Sequence, residues 1–243
     1  MTVELGPLTY QADGVTLTGW LADGSGGKPA PGVIVAHEAP GLGPGLADNV
    51  RAAARRLAAR GYVALVSDMY GAEIAFAQAM EKHTELMETP SLMLARARAA
   101  LDALAARPNV DQNRMAAMGF CQGGIVSLEL ARAGAPVKAA IGFHPGFLRP
   151  AGSLDRPISA KILMMIGDDD PVIPLEHRAA FAEEMKAKRR GLAACDLRRG
   201  GALLHQRWHR RARHARFRLQ RDCRSPRLGD GARPARRDIL RRD

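Results

Sequence analysis

The 243-residue sequence predicts an α/β fold in which helices cover both faces of a mostly parallel central sheet. Short apolar segments alternate along the chain with longer segments of helical periodicity, which is the order expected of repeated βα units. The apolar segments are nearly continuous, as is typical of strands that are buried on both faces. The length and the 47% of hydrophobic residues suit one domain of this kind.

The N-terminal part predicts an edge hairpin, followed by a strand, a helix and a second strand. Residues 8–21 are interrupted by Asp13-Gly14, a turn dipeptide, and so predict an antiparallel hairpin at the sheet edge. The elements that follow are predicted at 33–36 (strand), 48–60 (helix) and 62–67 (strand). Gly61 ends the helix at the C′ position, where glycine is favoured.

The alternation continues through the rest of the chain. Thr89 and Pro90 form an N-cap and first-turn pair for a helix that ends before Pro108. Further elements are predicted at 114–120 (strand), 124–132 (helix), 137–143 and 161–166 (strands), 175–188 (helix) and 196–199 (a last strand). In parallel sheets, functional groups collect in the loops after the carboxyl ends of the strands, so functional residues are expected there.

Basic residues are concentrated at the C-terminal end. The chain has 36 Lys and Arg against 25 Asp and Glu, a net charge of +11. Residues 189–243 hold 18 of the arginines, no lysine and five acidic residues, whereas residues 1–188 are nearly neutral. A basic nucleic-acid-binding face through the main domain is therefore not predicted. We expect a globular body at 1–188 and an atypical Arg-rich segment at 189–243.

The Arg-rich segment has three interpretations. It could bind nucleic acid through phosphate contacts, or it could be a disordered extension that its own charge keeps open. It could also be the product of a shifted reading frame in a GC-rich gene, since such frames over-produce Arg, Ala, Gly and Pro. The absence of lysine among its basic residues fits the shifted frame best.

The remaining bulk features favour a cytoplasmic protein. The chain does not begin with a basic region followed by an apolar stretch, and it has no run of about 18 apolar residues. Neither a secretory signal nor a membrane span is therefore predicted. The three cysteines, Cys121, Cys195 and Cys223, form no Cys-x-x-Cys pair and are too few for a disulfide framework.

The sharpest chemical signal is GFCQGG at residues 119–124, which follows a predicted strand and opens a predicted helix. Glycines on both sides of a reactive residue permit a tight strand-to-helix turn that projects its side chain into a cleft. The projected side chain is that of Cys121, and a thiol at a helix N-terminus is favoured as the nucleophilic thiolate. The alternative is a small buried cysteine beside a glycine-rich turn.

A cysteine nucleophile requires a base and a group that orients the base. Asp170 lies in GDDDPVIP at residues 167–174, a loop stiffened by two prolines directly after a predicted strand, and Asp168 and Asp169 are expected to be spectators. His205 follows the last predicted strand. The chain order cysteine, aspartate, histidine matches that of the α/β-hydrolases. The alternatives are a solvated acidic turn and a solvated histidine.

Five motifs occur together in one order along the chain. They are HEAPGL at 37–42, DMYG at 68–71, GFCQGG at 119–124, GFHPG at 142–146 and GDDDPVIP at 167–174. In this order the sequence resembles the dienelactone hydrolase family, a branch of the α/β-hydrolases with a cysteine nucleophile. The resemblance implies an α/β-hydrolase fold and hydrolysis of a small-molecule carboxylic ester or lactone, with no metal or organic cofactor and no membrane partner.

The resemblance also implies roles for individual residues. Cys121 is then the nucleophile, His205 the general base and Asp170 the carboxylate that orients the base. Glu38 is an additional carboxylate that takes part in activating the thiol. The backbone N–H groups of Gln122 and Ala39 form the oxyanion hole.

Three further side chains are candidates for the substrate pocket, namely His37, His144 and Tyr70. A metal site built on His37, Glu38 and His144 would lack a close ligand pair such as H-x-x-x-H, so no metal is predicted. Residues 69–86 contain no arginine, so a dienelactone with its carboxylate is not specifically indicated. The alternative function is a catalytically impaired hydrolase-like module whose basic tail binds nucleic acid, the one route by which such a partner is expected.

Overall fold

The computed structural model describes residues 3–43, 45–71, 74–167 and 170–188, and the backbone of 192–197. Within these residues the strands are β1 (Gly6–Ala12), β2 (Val15–Asp23), β3 (Ala30–Ala36), β4 (Val63–Ser67), β5 (Val110–Phe120), β6 (Ala139–Phe143), β7 (Lys161–Gly167) and β8 (Leu192–Leu197). The helices are α1 (Asp48–Ala58), α2 (Phe76–Glu88), α3 (Pro90–Ala105), α4 (Gln122–Arg132) and α5 (Leu175–Ala187).

All eight strands form one sheet in the order β1-β2-β4-β3-β5-β6-β7-β8. The β1–β2 and β2–β4 pairs are antiparallel, and every pair from β4 to β8 is parallel. This arrangement confirms the predicted fold class, including the hairpin at the sheet edge. The six parallel strands end at the same side of the sheet, so the loops after them meet there.

Apolar side chains pack on both faces of the sheet. In β3, Ile34 points to one face, where it joins a cluster that includes Leu101 of α3. Its neighbours Val33 and Val35 point to the opposite face and cluster with Val50 of α1. Because successive side chains of a strand alternate between faces, a strand covered on both sides must be apolar throughout. The continuous apolar segments in the sequence therefore predicted these strands correctly.

Helix α2 has no counterpart among the predicted elements. Only Ala79 and Leu86 of this helix are buried, so its apolar stripe is narrow. Phe76 and Met80 are instead exposed. The periodic signal that identified the other helices is therefore weak here, although α2 contributes to the candidate site.

Strand β8 lies at Leu192–Leu197. It therefore begins four residues earlier than the last strand that the sequence predicted at 196–199. It pairs with β7 in parallel, with Ala194 opposite Met164. The sheet therefore continues past residue 188, where the sequence placed the end of the globular body.

Residues 198–243 lie outside the described residues, and so do His205 and Cys223. The three interpretations of the Arg-rich segment therefore stay predictions. Among the helices within the described ranges, none combines the length and apolarity needed to cross a membrane.

Candidate active site

Cys121 forms the turn between β5 and α4. Its backbone has φ 50° and ψ −116°, and a positive φ is uncommon for a residue with a side chain and concentrates at functional sites. The Cys121 N–H donates to the Phe143 carbonyl of β6 at 2.9 Å, and its carbonyl accepts the Gly124 N–H at 2.9 Å. The sheet and the first turn of α4 thus hold the strained residue from both sides, in the tight strand-to-helix turn that the sequence predicted.

Glycine is required on both sides of Cys121. A Cβ atom on Gly123 would lie 2.1 Å from the Ala36 carbonyl oxygen at the end of β3. A Cβ atom on Gly119 would lie 2.2 Å from the Gly123 carbonyl carbon, and real Cβ atoms essentially never approach within 3.0 Å. The spacing Gly119-x-Cys121-x-Gly123 therefore allows the end of β5, the start of α4 and the end of β3 to touch.

The surroundings of the Cys121 thiol raise its pKa. Burial has the largest effect, and the carboxylates of Glu38 and Asp170 raise the pKa further, while hydrogen bonds from the backbone N–H groups of Gln122 and Ala39 lower it. The sequence predicted a thiolate from the helix N-terminus alone. That prediction is wrong because burial and two carboxylates outweigh the N–H donors. The resting thiol is therefore protonated near neutral pH and needs a base.

Removing the Glu38 charge is expected to lower the pKa of Cys121. In Glu38→Gln the amide keeps the size of the side chain but no longer disfavours a neighbouring thiolate. The rate of alkylation by iodoacetamide is measured as a function of pH, and the midpoint of this profile reports the pKa of Cys121. In the natural protein the midpoint should lie at higher pH than that of an ordinary cysteine. In Glu38→Gln it should move to lower pH. Glu88→Gln, a change at an exposed position of α2, is the control. An unchanged or higher midpoint in Glu38→Gln would contradict the charge effect.

Asn49 of α1 holds the Glu38 carboxylate beside the thiol. Its Nδ2 donates to Glu38 Oε2 at 2.5 Å, and its own Oδ1 accepts the Val50 N–H at 2.8 Å. Asn49 is buried. Sequence reasoning missed this residue because an asparagine in the first turn of a helix is ordinarily a local capping group. Its contact with Glu38 depends on how the loop after β3 folds back onto α1.

Asp170 is hydrogen-bonded to His144, a pairing that the sequence did not predict. Asp170 Oδ2 accepts from His144 Nδ1, and its Oδ1 accepts the Val172 N–H at 2.9 Å. The side chain of Asp170 is 1% exposed and that of His144 is 21% exposed. His144 has a positive φ of 56°, and its N–H donates to the Met165 carbonyl of β7 at 2.8 Å. The sequence assigned Asp170 to His205, which lies outside the described residues.

The buried His37 ring hydrogen-bonds the backbone of two loops, one after β3 and one after β4. Its ring is 1% exposed, with Nδ1 2.6 Å from the Glu38 carbonyl oxygen and Nε2 3.2 Å from the Met69 backbone nitrogen. Nδ1 therefore carries the proton and Nε2 accepts. Burial lowers the pKa of His37, which keeps the ring neutral. Both ring nitrogens are thus engaged within the protein, so they offer no polar contact to a substrate.

Tyr70 and Gln122 form a buried polar cluster near Cys121. The Tyr70 hydroxyl lies 2.7 Å from the Ala39 carbonyl oxygen and 2.9 Å from Gln122 Oε1. His83 Nδ1, on α2, lies 2.6 Å from the same Gln122 oxygen. The cluster therefore fixes both residues whose N–H groups face the sulfur. Sequence reasoning missed His83 because the helix that carries it was not predicted.

Side chains of the described residues form no group of three or more His, Cys, Asp or Glu that could hold a metal ion. The three residues considered for a metal site have different contacts. His37 hydrogen-bonds the backbone, Glu38 lies near the Cys121 thiol, and His144 hydrogen-bonds Asp170.

Proteins of known family and structure resemble this chain. The model of the dienelactone hydrolase family matches residues 17–193. A protein of a Bradyrhizobium species, described as a probable 2-oxo-3-(5-oxofuran-2-ylidene)propanoate lactonase, is 28% identical over 176 residues, which are 67% of this chain and 70% of that protein.

Solved structures of hydrolases are also similar to this chain. A dienelactone hydrolase-like promiscuous phosphotriesterase from metagenomic libraries is 34% identical, with a TM-score of 0.75 and coverage of 83% of this chain and 84% of that chain. Thermogutta terrifontis esterase 2, phosphonylated by cyclosarin, is similar in fold alone, at 17% identity, a TM-score of 0.61 and coverage of 86% and 91%. Since the family model spans well over half of the sequence, this chain belongs to the dienelactone hydrolase family of hydrolases.

Proposed function

We propose that this protein hydrolyses a carboxylic ester or lactone through a thioester on Cys121. The observation that carries the proposal is the environment of the Cys121 sulfur. It projects from a strained turn at the carboxyl end of β5, and the nearby backbone N–H groups of Ala39 and Gln122 favour its thiolate by lowering the pKa. A thiol held where two preorganised N–H donors converge is the arrangement that acyl transfer to sulfur needs.

The first half of the reaction forms the thioester. A base takes the proton of the Cys121 thiol while the sulfur attacks the acyl carbon, and the carbonyl oxygen gains the negative charge. The N–H groups of Ala39 and Gln122, fixed by the Tyr70 cluster, stabilise this oxyanion and need no reorganisation. The tetrahedral intermediate then collapses, the C–O bond breaks, and the leaving alcohol or enol takes the proton from the base.

The second half returns the free enzyme. The same base removes a proton from water as the water oxygen attacks the thioester carbon, and it returns that proton to the sulfur as the C–S bond breaks and the acid is released. The sequence assigns this base to His205, which stays a prediction because it lies outside the described residues. Asp170 is proposed to orient the base. Glu38 is proposed to help activate the thiol, since its carboxylate lies beside the sulfur and can accept a proton.

Trapping the thioester tests this proposal. Excess protein is mixed with p-nitrophenyl acetate, quenched in acid and digested, and the acetyl group is located by peptide mass spectrometry. Mapping is needed because the chain also contains Cys195 and Cys223. We expect the acetyl group on Cys121 and a loss of turnover that parallels alkylation of Cys121 by iodoacetamide. Turnover that persists when Cys121 is fully alkylated would contradict the proposal.

Phosphotriesters are a second candidate substrate class, because the 34%-identical solved relative is a promiscuous phosphotriesterase. Attack of the same thiolate on phosphorus would place negative charge on the phosphoryl oxygen, which the Ala39 and Gln122 N–H groups could also bind. Release of p-nitrophenol from a dialkyl p-nitrophenyl phosphate, lost on alkylation of Cys121, would support this class. Turnover of carboxylic esters alone would exclude it.

A further inference from the structure

We infer that His83 is a positioning residue, which accepts a hydrogen bond from the Gln122 side-chain amide and so holds the Gln122 N–H beside the Cys121 sulfur. This inference rests on the proposed function, because it concerns the oxyanion hole of that reaction. His83 lies on α2, a helix of which only Ala79 and Leu86 are buried. Its Nδ1 is 2.6 Å from the Gln122 side chain, so the ring joins this helix to the helix that follows the nucleophile.

The hydrogen bonds around Gln122 determine which end of its amide meets His83. The Tyr70 hydroxyl lies 2.7 Å from the Ala39 carbonyl oxygen and 2.9 Å from Gln122 Oε1. A phenol has one proton, so it can donate to only one of these two oxygens. Gln122 Nε2, at the other end of the amide, is buried and has no hydrogen-bond partner among the described residues. Two buried N–H donors would then lack an acceptor, which is costly.

A half-turn of the Gln122 amide about its terminal bond satisfies these groups. The nitrogen then gives one N–H to the Tyr70 hydroxyl oxygen and the other to His83 Nδ1, while Tyr70 gives its own proton to the Ala39 carbonyl. The two ends of an amide are nearly equal in size, so hydrogen bonding decides between them. The oxygen takes the position without a partner, and an unpaired buried C=O is better tolerated than an unpaired N–H.

The same count of protons fixes the tautomer of His83. A ring nitrogen that accepts from Gln122 carries no proton, so the neutral ring is protonated at Nε2. The ring is half-buried, so water can reach the Nε2 proton. Burial raises the pKa of Tyr70, so the phenol keeps the proton that this chain of hydrogen bonds requires.

The chain of hydrogen bonds joins the two N–H groups of the proposed oxyanion hole. Ala39 follows β3 and Gln122 begins α4, so the two groups belong to different elements. Tyr70 contacts both residues, and His83 contacts Gln122 from the opposite end of the chain. Gln122 is fully buried, so bulk water does not replace a lost partner. Loss of the acceptor on His83 therefore loosens the Gln122 side chain and the N–H of the same residue.

Two substitutions separate the hydrogen bond of His83 from its bulk. His83→Leu fills much of the space but has no acceptor. We expect it to lower kcat and kcat/KM for p-nitrophenyl acetate together by about 10-fold, less than the loss of a whole oxyanion-hole donor. His83→Asn places Oδ1 where the ring has Nδ1 and should stay within about threefold of the natural rate. His177→Asn, on α5, is the matched control and should keep the natural rate.

A double-mutant cycle tests whether His83 acts through Gln122. Gln122→Met keeps the length of the side chain but removes the amide. In that background we expect His83→Leu to change kcat by less than about twofold, because the group that His83 holds is already absent. A purely structural role of His83 in the packing of α2 would instead lower kcat by the same factor in both backgrounds.

Nitrogen NMR of the histidine rings reads the tautomer and needs no turnover. In the full chain labelled with nitrogen-15 histidine and recorded at alkaline pH, the His83 signals are those missing from His83→Asn. We expect a protonated Nε2 and an unprotonated Nδ1. A proton on Nδ1 with an unprotonated Nε2 would overturn the orientation of the Gln122 amide, and the inference with it.

The outcomes keep this inference separate from the proposed function. If no acetyl group is found on Cys121, the thioester mechanism fails whatever the tautomer of His83. If Cys121 is acetylated but His83→Leu keeps the natural kcat, only the positioning role of His83 is overturned. The same holds if His83→Leu loses activity equally with and without the Gln122 amide.

Discussion

Replacement of Cys121 by alanine is expected to lower kcat for a small activated ester by about 10⁴-fold or more, as the loss of a nucleophile does in enzymes of this kind. The Cys121 sulfur is the nucleophilic atom on which the backbone N–H groups of Ala39 and Gln122 act. Without the sulfur, the proposed oxyanion hole can only polarise a bound ester toward attack by water. The residual rate should therefore stay well above that of the uncatalysed reaction.

The alanine variant is expected to fold as well as the natural protein. Alanine and cysteine both carry a Cβ atom, so the strain of φ 50° is the same in both. The thiol is only partly buried, and its removal leaves little empty space. Circular dichroism and thermal unfolding should therefore be unchanged, and an inactive but normally folded protein assigns the loss to chemistry.

Serine at position 121 is a sharper test of the nucleophile. The hydroxyl has nearly the size of the thiol and could receive the same two N–H hydrogen bonds. Its far higher pKa demands a stronger base, in a pocket where Glu38 and Asp170 already disfavour an anion. We expect Cys121→Ser to retain little activity. If either variant keeps most of the natural rate, Cys121 is not the nucleophile.

The sequence predicted the sheet well because burial on both faces leaves a local signal. The strands around Ile34 and Leu163 are apolar at successive positions, and this pattern needs no knowledge of their partners. The turn at Cys121 was equally predictable, since its steric demands are met by glycines two residues away on either side. Helix α2 was missed because only Ala79 and Leu86 of it are buried.

The site was only partly predictable because its contacts join distant segments. Asp170 could be found from its place after a strand, but the choice of His144 as its partner depends on β6 and β7 being neighbours. The raised pKa of Cys121 depends on Glu38, which lies 83 positions earlier in the chain and is turned toward the sulfur by Asn49. The sequence near Cys121 predicts the effect of the helix N-terminus on the thiol pKa, but it does not predict the effect of carboxylates from distant segments.

Replacement of Gly123 by alanine is expected to destabilise the protein by about 3 kcal/mol or more, because the new methyl group would overlap backbone atoms. Its Cβ would lie 2.1 Å from the Ala36 carbonyl oxygen and 2.9 Å from that of His37. A flexible side chain could rotate away from such a contact, but the Ala36 carbonyl belongs to β3, which is bonded to β4 and β5. Either α4 or the end of β3 must move.

Either movement also separates the two N–H groups that face the sulfur, since Ala39 follows β3 and Gln122 begins α4. Whatever Gly123→Ala protein folds should therefore lose kcat/KM as well as stability, because catalysis depends on donors held within fractions of an ångström. Gly6→Ala is the matched control, since a Cβ atom there meets nothing within 4 Å and needs no unusual φ. Urea unfolding and ester turnover measure the two effects. A Gly123→Ala protein with the stability and activity of Gly6→Ala would mean that α4 and β3 do not touch at this turn.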